Sequence, residues 1–225
     1  MPEAAISKKF NVQISKPEGT ATSITVFLPG TWNPFAWNYD YSSTIKALLD
    51  KNQIVIAWHR MNPFPIFGRT HDQMAEDVVS VVKEFRAIEE FSNLPAQYNI
   101  VGHSIGGKVA LMLAAKFDID NVKKIIALDP VDSNPRELTE PRLSPKTNLT
   151  NSQAEEIHLF QSEKGGSECP KDRNASIVKE LYPNQITSFE INLGAVHMSY
   201  EDSRDDEKSI NARDSVHNKI HSVIL

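Results

Sequence analysis

The sequence predicts an α/β protein, because short apolar segments alternate with segments of helical periodicity. The apolar segments are rich in valine and isoleucine and have the length of strands; they lie at 10–14, 23–29, 53–58, 97–102, 123–129, 156–161 and 186–193. The inner segments are apolar throughout, as strands buried on both faces of a parallel sheet are. Apolar residues recur at helical spacing at 45–49, 74–88, 109–115 and 210–223. We therefore predict a doubly wound, mostly parallel sheet with helices on both faces.

Length and composition favour one domain. The chain has 225 residues, of which 40 % are hydrophobic and 24 % charged, so we expect a single globular domain over residues 1–225. Cys169 is the only cysteine, which excludes an internal disulfide and a zinc site built from several thiolates. The segment 130–153 contains four prolines and has no clear period, and we interpret it as a candidate lid.

The charge pattern excludes several classes of partner. The formal net charge is −5, and no run of lysine or arginine exceeds two residues, so we expect no nucleic-acid binding. The first ten residues lack the apolar core of a signal peptide, and no apolar stretch is long enough to span a membrane. We expect a soluble, cytoplasmic protein; the sequence does not indicate an oligomeric state.

A nucleophile elbow is the strongest chemical signal in the chain. The segment Gly102-His103-Ser104-Ile105-Gly106-Gly107 follows a predicted buried strand and precedes a predicted helix from 108 to 117. Such a strained turn needs small residues two positions either side of the serine. It exposes the Ser104 hydroxyl beside the Ile105 amide, which can bind a developing oxyanion. We expect His103 only to fill the turn.

A serine nucleophile needs a base, which lies C-terminal to it in proteins with this elbow. Chain order excludes His59 and His71, and His158 lies inside a predicted strand. His217 and His221 are four residues apart on one face of the C-terminal helix, a pattern typical of solvated surface. His197 remains, just past the last predicted strand, and we predict that it is the base.

Three carboxylates are candidates for the acid that orients the base. Asp129 ends a predicted strand and is followed by a proline, which fixes it at the sheet edge. Asp132 lies three residues later, and Glu163 follows the next strand, where the acid is commoner in this fold. The spacing favours Asp129 and leaves the other two open.

A second oxyanion donor is expected in the segment Pro29-Gly30-Thr31-Trp32, which follows the strand at 23–29. Gly30 permits the bend of the chain there. The Thr31 amide is the predicted donor, and that of Trp32 is the alternative.

Four motifs together resemble the chlorophyllase-like branch of the α/β-hydrolases: LPGTW at 28–32, VGHSIGGK at 101–108, ALDPVD at 127–132 and LGAVHM at 193–198. The similarity extends from about residue 22 to residue 200. Ile105 stands where that branch has arginine, and Pro29 where it has histidine. The resemblance implies an α/β-hydrolase fold with little or no cap domain, Ser104 as nucleophile, Asp129 as acid and His197 as base.

Aromatic residues concentrate near the predicted site. Eight of the 18 aromatic residues, including all three tryptophans, lie between residues 30 and 70. Their segments follow strand ends on the same side as Ser104, where aromatic side chains suit a large apolar ester. The predicted substrate-binding residues are Trp32, Phe35, Trp37, Met61, Phe64 and Phe67.

The predicted function is hydrolysis of a lipophilic carboxylic ester, a small molecule, through an acyl-enzyme on Ser104. The resemblance implies that this ester is chlorophyll or a related tetrapyrrole ester. The mechanism requires no metal and no organic cofactor. One alternative is an acyltransferase or thioesterase that uses the same three residues. The other is a non-catalytic binding module for apolar ligands, which the intact set of Ser104, Asp129 and His197 disfavours.

Overall fold

The computed structural model describes residues 3–30, 40–58, 71–116, 122–131, 148–166 and 175–224. Within these ranges the strands are β1 (Val12–Ser15), β2 (Ser23–Leu28), β3 (Gln53–Trp58), β4 (Tyr98–His103), β5 (Val122–Leu128), β6 (Glu156–Ser162) and β7 (Ser188–Asn192). The α-helices are α1 (Glu3–Phe10), α2 (Ser42–Leu49), α3 (His71–Arg86), α4 (Ile105–Lys116), α5 (Ala175–Leu181) and α6 (Glu207–Val223). None of the described helices is both long and apolar enough to cross a bilayer.

The seven strands form one sheet in the order β1-β3-β2-β4-β5-β6-β7. Only β1 is antiparallel to its neighbour, and the other five pairs are parallel. The chain leaves β2 towards β3 on one side, and leaves β4 towards β5 on the other. A crevice opens at such a switch point, at the carboxyl ends of the two strands, and ligands of open α/β sheets bind there. The residues that follow β2 and β4 therefore flank the expected site.

Helices cover both faces of the sheet, as predicted. Alternate strand residues point to opposite faces, so Ile54 and Ile56 join one apolar cluster while Val55 joins the other. The first cluster receives side chains from α1, α3, α4 and α5, and the second from α2 and α6. All seven predicted strands are present, with bounds shifted by at most two residues.

The structure corrects three details of the prediction. Helix α4 begins at Ile105 rather than at residue 108, directly after Ser104. Two short α-helices, α1 and α5, have no counterpart in the predicted pattern. The ends of the candidate lid belong to the core, since Val131 and Leu149 are buried in the first apolar cluster. Residues 132–147, the middle of that segment, lie outside the described residues.

Candidate active site

The elbow has the strained geometry that its sequence predicts. Ser104 has φ 57°, in the left-handed region, between β4 and α4. A Cβ on Gly102 would lie 2.4 Å from the Gly106 carbonyl oxygen, and one on Gly106 would lie 2.1 Å from that of Leu28. Only glycine allows the strand and the helix to approach this closely. As the first residue of α4, Ile105 has an N–H without a partner inside the helix, so it can serve an oxyanion beside Ser104.

Gly30 packs directly against the elbow. A Cβ on Gly30 would lie 3.3 Å from each of three atoms, His103 Nδ1, Ser104 Cβ and Tyr41 Oη. The backbone of Gly30 does not adopt the left-handed conformation that would by itself require glycine. Close packing, rather than the bend that we predicted, is therefore the reason for glycine at this position. Thr31 and Trp32, the predicted oxyanion donor and its alternative, lie outside the described residues.

Asp129 and His197 form a buried hydrogen-bonded pair. Asp129 is 0 % exposed and His197 6 %, and His197 Nδ1 lies 2.7 Å from Asp129 Oδ2. Because a carboxylate only accepts, Nδ1 carries the donated proton and Nε2 is left as the acceptor of the neutral ring. This tautomer is the one that a general base towards a serine hydroxyl requires.

Ser162, at the end of β6, completes the environment of Asp129. Its backbone N–H donates to Asp129 Oδ1 at 3.1 Å, and its hydroxyl donates to Asp129 Oδ2 at 2.6 Å. Asp129 has φ 43°, so its backbone is also strained at the strand end. The carboxylate is thus oriented by β6 on one side and by His197 on the other. The sequence reasoning missed Ser162; its place beside Glu163, at the end of the strand next to β5, is the signal that would have found it.

Hydrogen bonds from the backbone and from two side chains hold the segment that carries His197. The His197 N–H donates to the Gly165 carbonyl at 2.8 Å. Arg213 of α6 donates to the carbonyls of Ser199 and Glu201, at 3.3 and 2.8 Å. Asp202 accepts from the Ser43 N–H at 2.7 Å. The loop after β7 is therefore fastened to α6 and to the start of α2.

His103 does more than fill the elbow, contrary to our expectation. Its ring is fully buried, and Nε2 lies 2.9 Å from the His197 carbonyl oxygen. Nδ1 lies 2.6 Å from Tyr41 Oη, which also accepts from the Gly30 N–H at 3.2 Å. Burial lowers the pKa of His103 well below its ordinary value, and the nearby His197 lowers it further. Both His103 and Tyr41 belong to the site. The elbow motif contains His103 and the aromatic cluster contains Tyr41, but neither pattern indicated that the two side chains are hydrogen-bonded to each other.

The other candidates that the structure describes have partners away from the Asp129–His197 pair. Glu163 is exposed and accepts from the Gly194 N–H at 2.7 Å, so the structure does not bring it to the His197 ring. His158 is buried inside β6, as predicted, against Ser188 and Glu156. His217 is half-buried rather than solvated, with Nε2 3.3 Å from the Ser43 hydroxyl. Asp132 lies outside the described residues.

The predicted substrate-binding residues Trp32, Phe35, Trp37, Met61, Phe64 and Phe67 also lie outside the described residues. Among the described residues, a cavity of about 140 Å³ is lined by Gln13, Phe27, Pro29, Asp40, Tyr41, Ser42, Ile45, Ala57 and Trp58. Polar and apolar groups contribute about equally to this lining. Elsewhere in the described part of the chain, no three His, Cys, Asp or Glu side chains group together as metal ligands.

Comparisons with known proteins agree with this architecture. Residues 36–162, more than half of the chain, match the α/β hydrolase fold family. No curated protein sequence matches the chain.

Three solved structures illustrate the likeness in fold. Acylaminoacyl peptidase from Pyrococcus horikoshii superposes with a TM-score of 0.71 at 16 % identity, over 95 % of this chain and 39 % of that one. The chain thus spans well under half the length of that peptidase. Est1E from Butyrivibrio proteoclasticus, solved with ferulic acid, gives 0.62 at 13 % identity, over 94 % of each chain.

A serine hydrolase homologue from Coxiella burnetii gives a TM-score of 0.62 at 17 % identity, over 93 % of this chain and 90 % of that one. At such identities the structures establish the fold alone. Together with the sequence match, they place the seven-stranded sheet and its flanking helices in a known architecture. The chain belongs to the α/β hydrolase fold family.

Proposed function

We propose that the protein is a serine hydrolase of lipophilic carboxylic esters, with Ser104 as nucleophile, His197 as general base and Asp129 as the acid that orients the base. The observation that carries the proposal is the buried 2.7 Å contact between His197 Nδ1 and Asp129 Oδ2. It supports the proposal because it leaves Nε2 of His197 as a proton acceptor. The centroid of the His197 ring lies 4.7 Å from that of His103, which directly precedes Ser104 in the elbow.

The acylation step follows from these assignments. Ser104 Oγ attacks the ester carbonyl carbon while its proton moves to Nε2 of His197. Asp129 stabilises the imidazolium that forms, through the Nδ1 hydrogen bond. The amides of Ile105 and Thr31 stabilise the oxyanion of the tetrahedral intermediate. His197 then returns the proton to the leaving alcohol, and the acyl group stays on Ser104.

Deacylation repeats the chemistry with water. His197 accepts a proton from a water molecule, whose oxygen attacks the acyl carbonyl. The tetrahedral intermediate collapses, Ser104 Oγ regains its proton from His197, and the carboxylic acid leaves. Every proton in this cycle moves between Ser104, His197, water and the alcohol, so the proposed cycle needs no cofactor.

The proposed substrates carry a large apolar group. The cluster of aromatic residues between 30 and 70, which includes five of the six predicted substrate-binding residues, supports this class. Chlorophyll is the specific ester that the motifs at 28–32, 101–108, 127–132 and 193–198 favour. In that reaction the cleaved ester joins phytol to the propionate of the tetrapyrrole. We further propose that residues 1–225 act as one cytoplasmic domain on a small-molecule substrate.

The test is hydrolysis of p-nitrophenyl esters of increasing chain length, and of chlorophyll, by the native chain and by Ser104→Ala. We expect the rate to rise with acyl length, and Ser104→Ala to lower kcat by about 10⁴-fold or more. Release of chlorophyllide from chlorophyll would identify the tetrapyrrole ester as a substrate. Equal turnover by both proteins would contradict the proposal.

Two further measurements separate the alternatives. Partition of the acyl group to an added alcohol in preference to water would assign an acyltransferase. Tight binding of a long-chain ester without turnover, in both proteins, would assign a binding module.

A further inference from the structure

A chain of hydrogen bonds connects the two loops that flank Ser104. It runs from the Gly30 N–H to Tyr41 Oη at 3.2 Å, from Tyr41 Oη to His103 Nδ1 at 2.6 Å, and from His103 Nε2 to the His197 carbonyl at 2.9 Å. Gly30 precedes Thr31, the predicted oxyanion donor. His197 is the proposed base. This series of hydrogen bonds therefore begins next to the predicted oxyanion donor and ends on the backbone of the proposed base.

The direction of each hydrogen bond follows from the last acceptor. A backbone carbonyl only accepts, so His103 Nε2 carries the proton. In a neutral ring Nδ1 is then an acceptor, and the Tyr41 hydroxyl donates to it. The Tyr41 oxygen is left to accept from the Gly30 N–H. These donor and acceptor assignments require a neutral His103 ring, and the complete burial of the ring favours the neutral form.

A second set of contacts ties the same segments together. The Asp202 N–H donates to the Asp40 carbonyl at 2.7 Å, and the Ser43 N–H donates to the Asp202 carboxylate at 2.7 Å. Tyr41 lies between these two anchors, and Asp202 lies five residues after His197 in the same loop. These hydrogen bonds fix the backbone around Tyr41 relative to the loop that carries His197. The Tyr41 hydroxyl, which accepts from the Gly30 N–H, connects Gly30 to the same loop.

We propose that Tyr41 and His103 are positioning residues, which set the loop of Gly30 and the loop of His197 relative to each other around Ser104. This inference rests on the proposed function. Neither side chain takes part in a bond-making step. They act by fixing the geometry of the site, because the rate of a reaction between oriented groups falls by about 100-fold when one group is displaced by 1 Å.

The direct test is Tyr41→Phe, which keeps the ring and removes the hydroxyl. It leaves the Gly30 N–H and His103 Nδ1 without this partner. We expect kcat for a p-nitrophenyl ester to fall by about 10- to 100-fold, with KM changed by less than about twofold. Labelling of Ser104 by a fluorophosphonate should slow by a similar factor, since it uses the same nucleophile and oxyanion donors.

Tyr98→Phe is the matched control. Tyr98 begins β4, at the opposite end of the strand from His103, and its buried hydroxyl contacts no hydrogen-bond partner among the described residues. Removing that hydroxyl should leave kcat, KM and the labelling rate unchanged. His103→Gln is the conservative variant at the second position, because its terminal amide replaces the Nε2–H that reaches His197. It should retain more activity than His103→Leu.

One measurement tests the chain of hydrogen bonds without catalysis, including the case in which Tyr41→Phe does not fold. ¹⁵N NMR of the histidine side chains in the Ser104→Ala protein should show His103 with a proton on Nε2 and none on Nδ1 throughout pH 6–8. A proton on Nδ1, or a charged ring, would overturn the inference. So would a native protein that is labelled at Ser104 while Tyr41→Phe is labelled equally fast. A native protein that is not labelled at all would contradict the proposed function instead.

Discussion

Asp129 and Glu163, two of the carboxylates that the sequence offers as the acid orienting His197, have different surroundings in the structure. Asp129 is buried, and among its hydrogen-bond donors are His197 Nδ1 and the N–H and hydroxyl of Ser162. Glu163 is exposed and accepts from the Gly194 N–H. Gly194 has φ 76° in the turn after β7, so Glu163 stabilises the turn that leads to His197.

Matched amide variants separate the two roles. Asp129→Asn should lower kcat by about 10⁴-fold, because the amide favours the wrong tautomer of His197. Glu163→Gln keeps an acceptor oxygen for Gly194, so we expect activity within about threefold of the native value and a stability loss below about 1 kcal/mol. Both are measured by ester hydrolysis and by urea unfolding. The reverse ranking of the two variants would assign the acid to Glu163.

His103 shows what local sequence reasoning misses at this scale. The motif around Ser104 predicts the elbow, since its glycines and its position between strand and helix are local features. The partners of His103 are 62 and 94 residues away along the chain. No spacing rule connects such distant positions, so the hydrogen bonds of an elbow residue become visible only in the folded chain.

Among the elements, strands were easier to predict than short helices. The inner strands, β2 to β6, are apolar runs buried on both faces, and such runs are distinctive. Helix α1 has eight residues and buries only Ile6, so its periodicity is too weak to detect. The start of α4 was misplaced because Gly106 and Gly107 disfavour helix by propensity. Close contact between α4, β4 and the end of β2 overrides that propensity.

The carboxyl ends of the strands explain why so much of the site was predictable. In a parallel sheet these ends meet at one edge, so Ser104 after β4, Asp129 after β5 and His197 after β7 are brought to the same side. Ser162 ends β6 and belongs to the same row. Tyr41 directly precedes α2 and follows no such rule, so it was not assigned to the site.

For the molecule as a whole, buried histidines predict sensitivity to acid. Burial lowers the pKa of His103, His158 and His217 below the ordinary value. Below about pH 6.5 the unfolded chain therefore binds protons that the folded chain does not, so the free energy of unfolding falls as the pH falls. Burial raises the pKa of Glu201, which opposes this effect at lower pH.

Urea unfolding at pH 7.5, 6.5 and 5.5 measures this dependence. We expect the free energy of unfolding at pH 5.5 to be lower than at pH 7.5 by at least about 1 kcal/mol. His158→Gln, which removes one of these histidines far from the elbow, should reduce the difference. A free energy that is constant or rises on acidification would contradict the account of the buried histidines.

The central claim is that Ser104 is an activated nucleophile. We would incubate the native chain and Ser104→Ala with a fluorophosphonate and measure the intact mass of each. The account predicts one covalent adduct on the native chain, mapped to Ser104, and none on the variant. An unmodified native chain, or an adduct that persists in Ser104→Ala, would contradict it.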